Sequence, residues 1–381
     1  MSISEKFVSV KPSLSEGQAA ELVTRLFGLK VSAVRPLPSY GDQNFHILAS
    51  GTQGSGDYPN GFVLKVLNSA DSQKPDLVEA QTQIMMFLND KGFPTPKAIP
   101  TIGGRMMSLE TIECGSECKQ YMVRLLTYLP GIPLAKIPLD QQNLYKVGRI
   151  VAQMDKVLQE EFQHVTLKSL HREDFIWNLS NTHHLENYLA ALGGSRSCLT
   201  IEQVIQQFKA QIFPNLSKFR KSIIHGDPNE QNILVELSHS SAEEALYNFN
   251  PTHLQKEFRI SGILDFGDMS YGCYVFELAI VIAYMMIENK DPISVGGHVL
   301  AGFESVIPLT PEERDAVFLL VLCRFSQSLV IARNTVLRYP ENEEYLMSSA
   351  KNGCKCLHQL WELGKEAVEK IWFEIVDSYH R

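Results

Sequence analysis

The chain has 381 residues, 44% of them apolar and 20% charged, enough to bury a sizeable core in two lobes. A net charge of −8 leaves no basic footprint for nucleic acid. The start, MSISEKFVSVKPSLSEGQ, lacks the apolar core of a signal peptide, and the longest apolar run, Leu278–Ile287, has ten residues where a membrane span needs about 20. The expectation is a cytoplasmic protein with no membrane and no nucleic-acid partner.

In chain order, Ser13–Leu29 carries an early Ser15/Glu16 start and apolar positions at helical spacing, which predicts a helix. Residues 32–50 and 58–69 alternate like two antiparallel strands. Asp76–Asn89 is an amphipathic helix stopped by Gly92 and Pro94, and SLETIECG and KQYMVRLLTYLPG read as two more strands. Beyond the hinge TYLPG the texture turns helical: Leu139–Gln159, His184–Leu192, Ile201–Phe219, Tyr274–Glu288, Pro311–Tyr339 and Glu343–Tyr379. Short strands stand on either side of the turn in SIIHGDPNEQNILVE and in FRISGILDFGD, with Leu237–Lys256 an exposed insertion. The organisation is a small α+β lobe over 1–129 and a larger helical lobe over 130–381, with a ligand cleft expected between them. Seven cysteines, an odd number with no histidine at zinc-finger spacing, read as reduced thiols.

Three separated signals carry chemistry. Lys65 sits in FVLKV, on a small-lobe strand. Asp227 and Asn232 lie five residues apart in IIHGDPNEQNIL, and Asp265 opens DFGD 33 residues after Asn232. A lysine, a base-like carboxylate, an amide and a second carboxylate are the parts that phosphoryl transfer needs, because catalysis there is mostly positioning and charge neutralisation. The lysine would hold the non-transferred phosphates. Asn232 and Asp265 offer oxygens to Mg²⁺, a hard cation. Asp227 would orient a substrate hydroxyl and accept its proton, with His225 and Gly226 bracing the turn. Each signal alone has a plain reading, since Asp-Pro-Asn favours turns anyway. HREDFIWN (His171–Asn178) mimics a catalytic loop, but Asp174 and Asn178 are one residue closer than Asp227 and Asn232, and no metal aspartate follows. It reads as a substrate-side element or as a polar helix start.

HGDxxxxN followed by DFGD resembles the aminoglycoside phosphotransferase branch of the protein-kinase-like fold. A protein kinase would place Lys where this chain has Asn229, and would need a long activation segment before the helix that starts near Tyr274. VRPLPSYGDQNFHI, YMVRLLTYLPG, LHREDFIWNL, SGILDFGDMSYG, VGGHVLAGFES and EAVEKIWFE extend the likeness over nearly the whole chain, which looks like the hydroxylysine kinases. The resemblance implies an α+β, bilobal protein-kinase-like fold with a small antiparallel-sheet N-lobe and a larger helical C-lobe. It also implies a Mg²⁺-dependent transfer of phosphate from GTP, with ATP the alternative donor, to the 5-hydroxyl of 5-hydroxy-L-lysine. Kinases of other amino alcohols (homoserine, choline or ethanolamine) and a silent nucleotide-binding protein are the alternatives. By the same likeness Glu79 is the ion-pair partner of Lys65, with Asp76 one turn away as its rival. Ser39 and Asn44 supply polar groups to a phosphate loop, SYGDQNF, that has only Gly41. Asp268 could meet a substrate amine and Arg172 its carboxylate, while Glu277 matches a position that braces the catalytic loop.

Overall fold

The computed structural model describes residues 11–39, 41–51, 58–114, 117–237, 258–287, 289–337, 339–340, 343 and 347–380. The chain divides into two compact units, one made of 1–131, 163–170 and 261–267, the other of 132–162, 171–260 and 268–381. The sequence reading put one boundary at residue 129; the first unit also takes two short segments from farther along the chain. The second of these carries Asp265.

In the first unit, helix α1 (Glu16–Phe27) opens with a capping box, in which the Ser15 side chain and Gln18 satisfy each other's backbone N–H groups. A sheet follows, of strands β1 (Leu29–Leu37), β2 (Gln43–Gly51), β3 (Phe62–Val66), β4 (Ala98–Ile99), β5 (Ser108–Cys114) and β6 (Glu117–Thr127). Its order is β1-β2-β3-β6-β4, with β5 also on β6, and the pairings are antiparallel. The stretch 32–50, read as one strand, is a hairpin of two. Helix α2 (Pro75–Asp90) buries Leu77, Val78, Gln81, Thr82, Ile84, Met85 and Leu88. Phe45, Ile47, Leu64, Val66, Val123 and Leu125 form a core with Ala19 and Val23 of α1, so β3 is a central strand with neighbours on both edges.

The second unit is built on helices α3 (Gln141–Glu161), α4 (Arg196–Gln207), α5 (Tyr274–Ile287), α6 (Pro292–Glu304), α7 (Pro311–Val336), α8 (Ser348–Leu363) and α9 (Lys365–Ser378). The α+β class expected from the sequence is the one observed. Helix α5, the longest apolar run, is buried at every residue. Helix α7 is long and apolar enough to cross a membrane, yet 89% of its most apolar window is buried inside the protein, as in a core helix. Helix α6 was not expected, because PISVGGHVLAGFE has three glycines and glycine weakens helices by about 1 kcal/mol each. Close packing explains them: a Cβ on Gly302 would lie 2.0 Å from the Tyr145 carbonyl oxygen of α3, and Cβ atoms on Gly296 and Gly297 would meet the Trp372 and Ile375 side chains of α9 at 2.2 and 2.7 Å. The helix read over 343–379 is two helices, separated at Gly364. The segment read as helix over 201–219 begins at Arg196, capped by Ser195, and after Gln207 passes into π and 3-10 turns.

Short strands thread among these helices: β7 (Ile132–Pro133), β8 (Lys221–Ile224), β9 (Ile233–Leu237), β10 (Phe258–Ile263) and β11 (Ser270–Cys273). Strands β7, β9 and β10 form one small sheet, while β8 pairs antiparallel with β11. The two strands flanking the Asp227 turn therefore belong to different sheets. The insertion read at Leu237–Lys256 lies, apart from Leu237, outside the described residues.

Candidate active site

In the first unit the chemistry gathers round Lys65. It stands on the central strand β3, opposite Asn44 of β2 and Arg124 of β6 in the pairing register. Its side chain is 7% exposed, and its Nζ donates to Asp265 Oδ1 at 2.7 Å and lies 3.2 Å from Asp42 Oδ2. Burial alone would lower the lysine's pKa, but Asp265 and Asp42 outweigh it and the net shift is upward. Arg124 is buried beside it and donates to Thr82 Oγ1 of α2 at 3.1 Å. Burial pushes its pKa down against the pull of Asp42 and Asp265. Two buried cations and two carboxylates thus form one cluster.

Asp42 is fixed by the backbone N–H and side-chain amide of Asn68, at 2.9 and 3.0 Å. The expected partner, Glu79, is not there. It accepts instead from Gln83, one turn along α2, at 2.8 Å. The reason is the helix phase: α2 buries Val78, Gln81, Thr82 and Met85, while Glu79 stays half-exposed, and Asp76, its rival, is exposed too. The inward polar position is Gln81, whose amide donates to the Gly267 carbonyl at 2.9 Å and so pins the DFGD segment. Asp265 itself has φ 58°, the one non-glycine residue with positive φ among the described residues. Aspartate tolerates that left-handed conformation better than most residues, and such outliers cluster at functional sites. Of the two phosphate-loop candidates, Asn44 sits across the strand from Lys65 with its side-chain oxygen buried and accepting no hydrogen bond. Ser39 is half-buried, and its carbonyl accepts from Lys11 Nζ at 2.7 Å.

In the second unit the turn after β8 is held from beneath. The Glu277 carboxylate of α5 accepts the N–H groups of His225 and Gly226, both at 2.9 Å. Burial pushes the Glu277 carboxyl up to about 7 despite those two hydrogen bonds. Its neighbour Asp155 on α3 is fully buried, and neither of its carboxylate oxygens accepts a hydrogen bond. Burial and Glu277 together raise its pKa well above the ordinary aspartate value. Gly226 has φ 81°, and a Cβ there would meet the Asp268 carbonyl oxygen at 2.6 Å, so only glycine fits.

The turn then presents Asp227, 21% exposed, with both oxygens engaged. Arg324 of α7 donates to Oδ1 at 2.9 Å, while Asn229 and Asn232 donate to Oδ2 at 2.8 and 3.1 Å. Asn229 also receives the backbone N–H groups of Gln231 and Asn232, an Asx turn that sets the five-residue spacing. The Asn232 amide nitrogen further donates to the Asp227 carbonyl at 3.0 Å, which leaves its side-chain oxygen on the opposite side. Arg172 donates to the Met269 carbonyl at 3.2 Å with its guanidinium 3.4 Å from the Phe175 ring centre. The His171 and Tyr271 rings pack at a tilt, with centres 4.6 Å apart. HREDFIWN therefore lines the strand that follows Asp268, and Asn178 caps the 3-10 turns after it.

The structure brings Lys65 together with Asp265 and Asn44 in one unit, and Asp227 with Asn232 in the other. Sequence reasoning missed Asp42, Gln81, Arg124, Asn229, Asp155 and Arg324. A signal existed for some of them: Arg124 and Arg324 are single charges inside apolar runs, YMVRLL and LVLCRFSQSLVIA.

Residues 33–242 match the phosphotransferase enzyme family (APH). A curated relative from Bos taurus named hydroxylysine kinase is 56% identical over 369 residues, covering 97% of this chain and 95% of that one. Among solved structures, a microcompartment-associated aminopropanol kinase superposes with a TM-score of 0.62 at 14% identity, over 91% of this chain and 98% of that one. An amicoumacin kinase in complex with AMP-PNP and Ca²⁺ gives 0.60 at 14% identity, over 91% and 97%. At that identity the likeness speaks for the fold alone.

Proposed function

The chain belongs to the phosphotransferase enzyme family, among relatives named hydroxylysine kinase, and from that premise we propose that it transfers the γ-phosphoryl group of GTP to the 5-hydroxyl of 5-hydroxy-L-lysine. The observation that carries this reading is the 56% identity along 97% of the chain. The products are 5-phosphohydroxylysine and GDP: the substrate oxygen bonds to the γ-phosphorus, the bond to the β-phosphate oxygen breaks, and the hydroxyl proton passes to Asp227.

Lys65, oriented by Asp42, holds the non-transferred phosphates, with Ser39 and Asn44 contributing polar contacts and Arg124 adding to the local positive charge. Mg²⁺ usually takes only one or two carboxylates from the protein and the rest of its oxygens from phosphate and water. The residues fit that demand: Asp265 keeps a half-exposed carboxylate, and the Asn232 amide commits its nitrogen to Asp227, so its oxygen is the atom to offer the ion. When bound, the ion supplies charge neutralisation on the phosphates. Asp227 orients the hydroxyl, and its proton-accepting role is worth about 10²–10⁴-fold. Asp268 and Arg172 receive a substrate amine and the carboxylate.

The test is nucleotide consumption with hydroxylysine, lysine, homoserine, choline and ethanolamine, using GTP and ATP in parallel. Hydroxylysine should drive turnover, and lysine, with the same charges but no hydroxyl, should bind without being phosphorylated. Asp227→Asn should abolish turnover while nucleotide still binds. A preference for choline or ethanolamine, which lack the carboxylate, would overturn the substrate and keep the kinase. Nucleotide binding with no transfer to any acceptor would leave a silent binder.

A further inference from the structure

We propose that Arg324 is a positioning residue for phosphoryl transfer, holding the Asp227 carboxylate in the orientation that receives the acceptor hydroxyl. This rests on the reading of Asp227 given above.

Arg324 lies in the middle of α7, between Cys323 and Phe325, in a helix whose neighbouring positions Leu320, Val321, Leu322 and Val330 are all buried and apolar. Its side chain is 2% exposed. Burying a guanidinium costs several kcal/mol unless the protein replaces water with partners. A helix that needed only packing at this position would be served by another apolar residue.

The partners that offset this cost converge on the catalytic turn. One terminal nitrogen, Nη2, donates to Asp227 Oδ1 at 2.9 Å and lies 3.4 Å from the Gly226 carbonyl. The other, Nη1, donates to the Trp177 carbonyl at 3.3 Å. The Trp177 and Tyr284 rings lie against the guanidinium, with centres 5.0 and 5.1 Å from its carbon, within the range of cation–π attraction. Tyr284, Asp227 and Asp268 keep the group cationic although burial opposes it.

The consequence is mechanical and electrostatic. Asn229 and Asn232 clamp one oxygen of Asp227 and Arg324 clamps the other, so the plane of the carboxylate is fixed from both sides. The positive charge also offsets the negative charge that the carboxylate brings to the turn. A carboxylate fixed in this way suits a loose transition state in which the hydroxyl is aligned first and loses its proton late. Within HREDFIWN, Trp177 meets the arginine with both its ring and its backbone carbonyl.

The experiment compares wild type, Arg324→Lys and Arg324→Ala with hydroxylysine as acceptor. Arg324→Lys keeps the charge but loses the planar fork. It should lower kcat about 10–100-fold, as misplaced catalytic groups do, while the KM for nucleotide stays within about twofold. Arg324→Ala should lose more and regain at least tenfold on adding millimolar guanidinium, which fits between the two rings; urea or sodium chloride at the same concentration should give nothing. Unchanged kcat in Arg324→Lys, a loss confined to nucleotide KM, or equal rescue by urea would overturn the assignment. Should Arg324→Ala fail to fold, the kcat-against-KM split in Arg324→Lys decides alone. If wild type phosphorylates a different amino alcohol, the substrate proposal fails separately and the same variants are read on that acceptor. If wild type phosphorylates none, the role given to Asp227 falls and this one with it.

Discussion

Replacing Glu277 by Gln should remove a pH-dependent penalty from the fold while loosening the catalytic turn. Glu277 is fully buried, and its carboxyl titrates near 7 in the folded chain against an ordinary value of 4.5. Below the ordinary value both states are protonated and the group contributes nothing. As pH rises, the unfolded chain loses this proton first, so the folded state binds more protons and stability falls until the folded value is passed. The interval corresponds to roughly 3 kcal/mol, at about 1.4 kcal/mol per pH unit. Glutamine escapes this loss, but its single oxygen cannot serve both the His225 and Gly226 N–H groups, and one orphaned buried donor costs about 1–3 kcal/mol. The variant should therefore be the less stable protein at pH 4.5 and should draw level with or pass wild type by pH 8. Urea midpoints from pH 4.5 to 8.5 measure this, with the stability difference between the two chains rising by roughly 3 kcal/mol across the window. Asp155 acts in the same direction, because the variant frees it of a like charge. A difference that stays flat with pH, or falls, would refute both the buried-carboxylate argument and its sign. Turnover should drop at every pH, since one of the two anchors of the turn is gone.

Asp265→Ala and Asn232→Ala should both weaken Mg²⁺-dependent nucleotide binding, Asp265→Ala the more because it removes a charge; unchanged Mg²⁺ titrations in both would cancel the ligand assignment. Asp42→Asn should raise the nucleotide KM several-fold by releasing Lys65, whereas Glu79→Gln should alter stability by no more than about 0.5 kcal/mol; the reverse result would restore the helix acid as the lysine's partner. Gly226→Ala should cost more than about 2 kcal/mol, combining left-handed backbone strain with the clash on Asp268, and a near-wild-type melting curve would show that the turn can give way.

Much of this molecule is legible in its residues because local rules and packing agree. The capping box at Ser15 and Gln18, the amphipathic phase of 75–90 and the apolar run of 274–287 each settle an element by short-range physics. Legibility fails where a distant partner decides. The glycines of α6 look like helix breakers until their neighbours are laid against them: Gly302 meets the backbone of α3, and Gly296 and Gly297 the Trp372 and Ile375 side chains of α9. The short strands on either side of the Asp227 turn are readable in the sequence but their partners are not: β8 pairs with β11 and β9 with β7, both far along the chain.

The same distinction runs through the candidate site. Asp227 and Asn232 stand out in the sequence because turn chemistry sets their spacing within a few residues. Glu79 does not partner Lys65 because a helix supplies an acid to a lysine only if its phase is right, and α2 buries Val78, Gln81 and Thr82 instead. Glu79 and Gln81 are two residues apart, a rotation of about 200° on an α-helix, so with Gln81 facing inward Glu79 faces outward. Asp42, by contrast, needs no helix phase. It stands immediately before β2, and the register of β2 on β3 places that end of the strand beside Lys65. An acid on a strand-entry turn is thus a steadier partner for a buried lysine than an acid on a helix, and unpaired-looking charges inside apolar runs, such as Arg124 and Arg324, are where the counter-charges of such a site should be sought.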